Sequence, residues 1–339
     1  MDAPVPPSSS SGEDLRAAES RPSPGPESSS EETWGERVFR GPEGVRIGWR
    51  LLLYLVLGGA VVVLLLWLGK SVFPDPVLGT AALFEQLYGE IAFMLGAIAP
   101  AFLMARIEAR PIDDYGLPRI PVCAKLFWLG AVWGLTAITL LLVALRAAHV
   151  PSFGSLALHG LRILKFGLFW AAFFVVVALF EEFLFRGYTL YTLSQSTGFW
   201  PAAALLSCLF GAIHISNSGE GVAGLLGAAA IGLFFCLTLR RTGNLWFAVG
   251  FHAAWDWGET YLYAVPDSGT YEPGHLLNSS LQGPAWLSGG TVGPEASILC
   301  FILIAALWVV FDRRYREAHY KMAGAPAPAP APGGPLYHE

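Results

Sequence analysis

Residues 167–193 read GLFWAAFFVVVALFEEFLFRGYTLYTL, and only Glu181, Glu182 and Arg186 within them carry charge. The flanking apolar runs demand a non-aqueous setting. A charged side chain at bilayer depth costs ~2.5–3.5 kcal/mol on insertion scales, so three together call for a reason. One reason is a structural ion pair bracing two helices. The other is chemistry on a substrate held in or at a membrane. Two further polar clusters in apolar surroundings, Phe210 to His214 and His252 to Asp256, favour chemistry.

Working outward, the whole chain is too apolar for a soluble domain. Of its 339 residues, 54% are hydrophobic and 14% charged, and the mean hydropathy is +0.51. Leu51–Gly69 is uncharged and about as long as the ~20 residues needed to cross ~30 Å of hydrocarbon. The composition therefore specifies an all-α, polytopic membrane protein. No cleavable signal peptide is expected, because a long polar segment precedes the first apolar run. The net charge of −5 points to no nucleic acid, since both signs are segregated into loops and tails. Four scattered cysteines, Cys123, Cys208, Cys236 and Cys300, lack metal-ligand or redox spacing and read as small buried hydrophobes.

Three regions follow. Residues 1–46 are rich in Ser, Pro, Glu and Gly and are expected to be a disordered tail. Residues 47–315 form the transmembrane domain, with a motif core at about 160–265. Residues 323–339 are a second low-complexity tail, rich in Ala and Pro. About eight transmembrane helices are expected around an intramembrane polar cavity: Leu51–Gly69, Leu87–Ala105, Leu126–Leu145, then about 166–193, 200–216, 221–239 and 244–263, and Ala296–Phe311. The fourth is long, with Glu181 near its middle. Arg37, Arg40, Arg46 and Arg50 precede the first helix, whereas the loop Ala264–Pro294 has no Lys or Arg. This asymmetry predicts a multi-pass protein of the cell membrane with both termini cytoplasmic. Gly224, Ala228 and Gly232, at four-residue spacing, predict close helix packing.

Residues four apart share a helix face, so Arg186 can hold Glu182 ionised while Glu181, rotated by ~100°, stays freer. His252 and Asp256 share a face in the same way, and Asp256 can orient the imidazole. Glu259 extends that stripe but lies where a helix end meets the headgroups. His214 closes its own helix. Lipid would not tolerate these groups separately, so the three elements are expected to converge.

In this order the motifs Glu-Glu-x-x-x-Arg (Glu181, Glu182, Arg186), Phe-x-x-x-His (Phe210, His214) and His-x-x-x-Asn/Asp (His252, Asp256) resemble the CAAX-processing and bacteriocin-processing (CPBP, or Abi) intramembrane endopeptidases. The resemblance covers roughly residues 85–265, or to 311 with the last helix. It implies a helical core around a cavity open to lipid and cytosol, and hydrolysis of a peptide bond in a membrane-anchored peptide or protein, prenylated CAAX-type or bacteriocin-like. It further implies that Glu181 activates water with His214, while His252 and Asp256 position the scissile carbonyl and stabilise its oxyanion. Glu182, Arg186 and Phe210 are implied as supporting residues. An ionised Asp256 cannot donate to an oxyanion, which favours an orienting role toward His252. A metal-free arrangement with no cofactor is favoured. A second arrangement places Zn²⁺ on Glu181, His214 and His252, although no His-Glu-x-x-His spacing supports it. A non-proteolytic scaffold or immunity protein of the same fold, or a proton-coupled transporter, are the competing functions. The absence of an inverted repeat argues against the transporter.

Overall fold

The computed structural model describes residues 39–41, 44–73, 79–118 and 122–320. The expected C-terminal tail, and most of the N-terminal one, lie outside the described residues. Within residues 1–46, which form a separate unit, Arg40–Gly41 pairs antiparallel with Gly44–Val45. The rest is a helical membrane protein. Helices lie over all eight expected spans, and six among the described residues are long and apolar enough to cross a bilayer.

We label the helices α1 (Ile47–Gly69), α2 (Thr80–Ile107), α3 (Val122–Ala147), α4 (Leu161–Arg186), α5 (Tyr188–Thr197), α6 (Phe199–Ile213), α7 (Val222–Thr242), α8 (Trp246–Trp257) and α9 (Ile298–Arg314). Arg50, expected before the first helix, falls inside α1. The last two expected spans are shorter than the rest. α9 has 17 residues, and α8 has 12 before it loosens into a π-helical turn, Gly258–Tyr263.

The expected helix over 166–193 is in fact two. α4 stops at Arg186 and α5 restarts at Tyr188. The break is tight: a Cβ on Gly187 would sit 2.4 Å from the Phe183 carbonyl oxygen, so only glycine fits there. Glu181 therefore lies in the last two turns of α4, not at its middle, and the charged groups collect where the helix ends.

The motif-bearing helix α8 is gripped by α3. A Cβ on Gly130 would lie 2.0 Å from the Phe247 oxygen, and one on Gly134 would lie 2.1 Å from the Phe251 oxygen. Gly250 answers from the other side, 2.0 Å from the Phe127 oxygen by the same measure. Backbones this close exclude lipid and fix the rotation of α8. Trp257 Nε1 donates to the Gly167 carbonyl at 3.0 Å, tying α8 to α4. The small-residue stripe on α7 does more than pack helices. A Cβ at Gly232 would collide with Arg186 Nη2 at 2.2 Å, so this glycine makes the seat for the guanidinium. Cys208, Cys236 and Cys300 are free thiols.

Candidate active site

The ends of α4, α6 and α8 meet at a cavity of about 460 Å³, within the size range of small-ligand pockets. Glu181, His214, His252 and Asp256 all line it. The convergence anticipated from cost alone is present in the structure.

His252 is the hub. Its Nδ1 lies 3.1 Å from Glu182 Oε1, and its Nε2 lies 3.6 Å from Glu181 Oε2 and 3.3 Å from Asp256 Oδ2. The sequence pairs Glu182 with Arg186, and the structure agrees: Arg186 Nη1 donates to Glu182 Oε1 at 3.2 Å. Glu182 has a further role that helix spacing could not show, because it also fixes His252 from another helix. Both members of the Glu182–Arg186 pair are fully buried. The guanidinium carbon stands 4.1 Å from the centre of the Phe210 ring, so an aromatic face takes the place of missing hydrogen-bond acceptors. Arg186 Nε and Nη2, and Glu182 Oε2, have no hydrogen-bond partner. Phe210 also meets the rings of His214 and His252 edge-on, at 5.0 and 6.3 Å. Phe235 stacks on His252 at 5.7 Å.

His214 begins a 3₁₀ turn directly after α6. Its Nδ1 lies 2.8 Å from the Phe210 carbonyl oxygen. A carbonyl only accepts, so in the neutral ring Nδ1 carries the proton and Nε2 is an acceptor. The turn is anchored to the loop after α8, where Asn217 Nδ2 donates to the Ser268 carbonyl at 2.7 Å.

Three further features lay beyond the sequence reading. Glu90 of α2 lines the same cavity, and it is the sole charge in Leu87–Ala105, a signal that cost arguments can use. Asp267 and Glu295 line its other end from loops without periodicity and gave no such signal. Glu259, expected at the headgroups, is instead fully buried, with Trp255 Nε1 donating to it at 3.1 Å. The loop beyond α8 closes over it: Leu276 N donates to the Tyr261 carbonyl at 2.8 Å. Burial, with Asp256 and Glu295 nearby, pushes the Asp267 carboxyl well above its usual range.

A Zn²⁺ ion on Glu181, His214 and His252 does not fit this arrangement. Among the described residues, only Glu259, Asp267 and Glu295 bring three ligand atoms within 4.8 Å of one another. His252 Nδ1 is moreover engaged by Glu182, and its Nε2 faces two carboxylates.

Fold and site together define a multi-pass helical membrane protein with a carboxylate–histidine centre in an intramembrane cavity. Residues 163–258 match the family described as type II CAAX prenyl endopeptidase, Rce1-like. That span holds Glu181, Glu182, Arg186, Phe210, His214, His252 and Asp256, so the match falls on the same residues that carry the resemblance of the motifs. No curated protein and no solved structure matches the chain.

Proposed function

We propose that the chain is an intramembrane endopeptidase in which Glu181 primes a water molecule against the amide of a membrane-associated substrate. The observation that carries this reading is the meeting of Glu181, Asp256 and Glu182 on one imidazole, His252, beside a cavity. A structural ion pair would need one partner per charge and no cavity.

In the proposed reaction Glu181 takes a proton from water as the oxygen attacks the scissile carbonyl. The neutral His214 ring, with Nε2 as acceptor, helps to hold that water. His252 in its imidazolium form donates from Nδ1 to Glu182 and supplies positive charge near Glu181, Asp256 and the developing oxyanion. Asp256 orients His252. The C–N bond then breaks, and the proton held by Glu181 passes to the leaving amine. Glu182, held by Arg186, fixes the hub throughout.

The apolar part of the cavity, with Trp170, Phe173, Val177 and Ile231, suits a lipidated or apolar peptide segment. The description of the matched family supports a prenylated CAAX-type substrate, and bacteriocin-like peptides fit the same chemistry. The Lys/Arg-free loop 264–294 and the basic residues ahead of α1 support cytoplasmic termini in the cell membrane.

Glu181→Gln in the full chain tests the mechanism. Cleavage of a membrane-anchored reporter should fall by about 10²–10⁴-fold, the usual contribution of a general base, with expression and insertion unchanged. Retained cleavage would remove Glu181 from the chemistry.

A further inference from the structure

Glu259, Asp267 and Glu295, the last two of which line the cavity, come from three separate segments. These are the π-helical turn after α8, the loop beyond it, and the 3₁₀ turn before α9. Their ligand atoms lie within 4.8 Å of one another. Each carboxylate has one oxygen held by a fixed donor. Trp255 Nε1 donates to Glu259 Oε2 at 3.1 Å, and Thr260 Oγ1 donates to Asp267 Oδ2 at 3.1 Å. Ser268 donates to Glu295 Oε2 from its backbone nitrogen at 2.9 Å and from its hydroxyl at 2.6 Å. The second oxygen of each is left over. For Glu259 this is decisive, because its side chain is fully buried and Oε1 has no hydrogen-bond partner.

Such an orphan acceptor inside protein is costly unless something occupies it. The donors that hold the other oxygens do what outer partners do around bound ions: they fix each carboxylate's orientation. The local backbone is also unusual. The π turn begins at Gly258, next to Glu259, and Ala264 and Ser268 take positive φ without being glycine. No Lys or Arg lines the cavity to neutralise the cluster from within.

We propose that Glu259, Asp267 and Glu295 form a binding site for a divalent cation of the calcium class. Three carboxylates, and no nitrogen or sulfur ligand among the three, select a hard cation with oxygen ligands over zinc or copper. Three separate loop and helix-end segments supply the adaptable geometry that Ca²⁺ accepts and Mg²⁺ tolerates poorly. Asp267 and Glu295 also border the cavity that holds Asp256, so a bound cation offsets negative charge at the far wall of the candidate active site.

The test uses the purified full chain in detergent micelles, stripped with a chelator and titrated with Ca²⁺ alone. Calorimetry should show one saturable site, and thermal unfolding should shift upward as it fills. E295Q, at the half-buried member, should weaken binding by about tenfold or more, through loss of ligand charge. E272Q, in the same cavity but outside the triad, should bind like the wild type. Absence of saturable binding up to ~1 mM, the weak end for such modules, would overturn the proposal. So would an unchanged affinity in E295Q. The measurement needs no substrate, and repeating it in E181Q separates the cation site from the proposed peptidase: binding persists there while cleavage is lost.

Discussion

Two charge clusters in this molecule, one half-buried and one around His252, put carboxylates and an arginine to opposite ends. Near one end of α1 and α2, Glu108 is closed in by donors. Arg50 meets both of its oxygens, Tyr188 donates to Oε1 at 2.6 Å, and Tyr115 donates to Oε2 at 3.2 Å. Arg50 places its remaining nitrogen on Gln195 at 2.8 Å. The rings of Tyr54, Tyr115 and Tyr188 pack around this knot, with centroids 4.5 to 5.0 Å apart. Here one anion meets one cation and two hydroxyls. Around His252 the proportions are reversed. Three carboxylates crowd one imidazole, the one nearby guanidinium lacks acceptors for two of its nitrogens, and a cavity opens alongside. A structural cluster is satisfied and sealed. The second cluster carries surplus negative charge toward an open space, which is the condition for acting on something that enters it.

The contrast can be broken by substitution, and the largest effect is expected at Arg186. Arg186→Met takes the guanidinium from the buried Glu182, leaving it only His252, and should lower stability by about 3 kcal/mol, read by denaturant unfolding in micelles. Adding Glu182→Gln to it should return part of that loss, a coupling that a double-mutant cycle measures directly. In the sealed cluster the effect is smaller. Tyr188→Phe deletes one hydrogen bond to a charged acceptor and should cost about 1.5–3 kcal/mol, with cleavage of a reporter unchanged. Glu181→Gln should separate the two clusters most cleanly, since it removes surplus charge: catalysis is lost while thermal stability holds or rises. A stability loss at Glu181 equal to that at Arg186 would mean the two clusters are alike.

How far the sequence carries this picture differs by region. The helix positions are legible because each is a long apolar run, and the convergence of three motifs is legible because isolated intramembrane charges are expensive. The break at Gly187 is not, since Arg186 and Tyr188 on either side are helix-compatible, and the constraint is a contact with the Phe183 carbonyl one turn back. The partnership of Glu182 with His252 is invisible for a related reason. Helix spacing reports neighbours on one helix, and these two residues are 70 positions apart. Glu259 is misplaced by a one-dimensional depth argument, because a loop that folds back over a helix end buries what sequence distance exposes. Asp267 and Glu295 sit in loops, where no periodicity ties a residue to a neighbour.

The finest distinction concerns Asp256, and it carries the smallest expected effect. Its Oδ2 lies 3.3 Å from His252 Nε2, the nitrogen that Glu181 also approaches. If Asp256 orients the imidazole, Asn keeps an oxygen at that place and forfeits only the ionic attraction, about 1 kcal/mol. Cleavage by Asp256→Asn should then fall by about fivefold, measured as kcat/KM on the membrane-anchored reporter. Asp256→Ala leaves the ring unheld and should fall further. An Asn variant as dead as the Ala variant would show that negative charge itself, and not alignment of His252, is what the site requires from this position. An Asn variant faster than wild type would point to an amide donor serving the oxyanion directly, and would move Asp256 from an orienting residue to one that touches the reacting atoms.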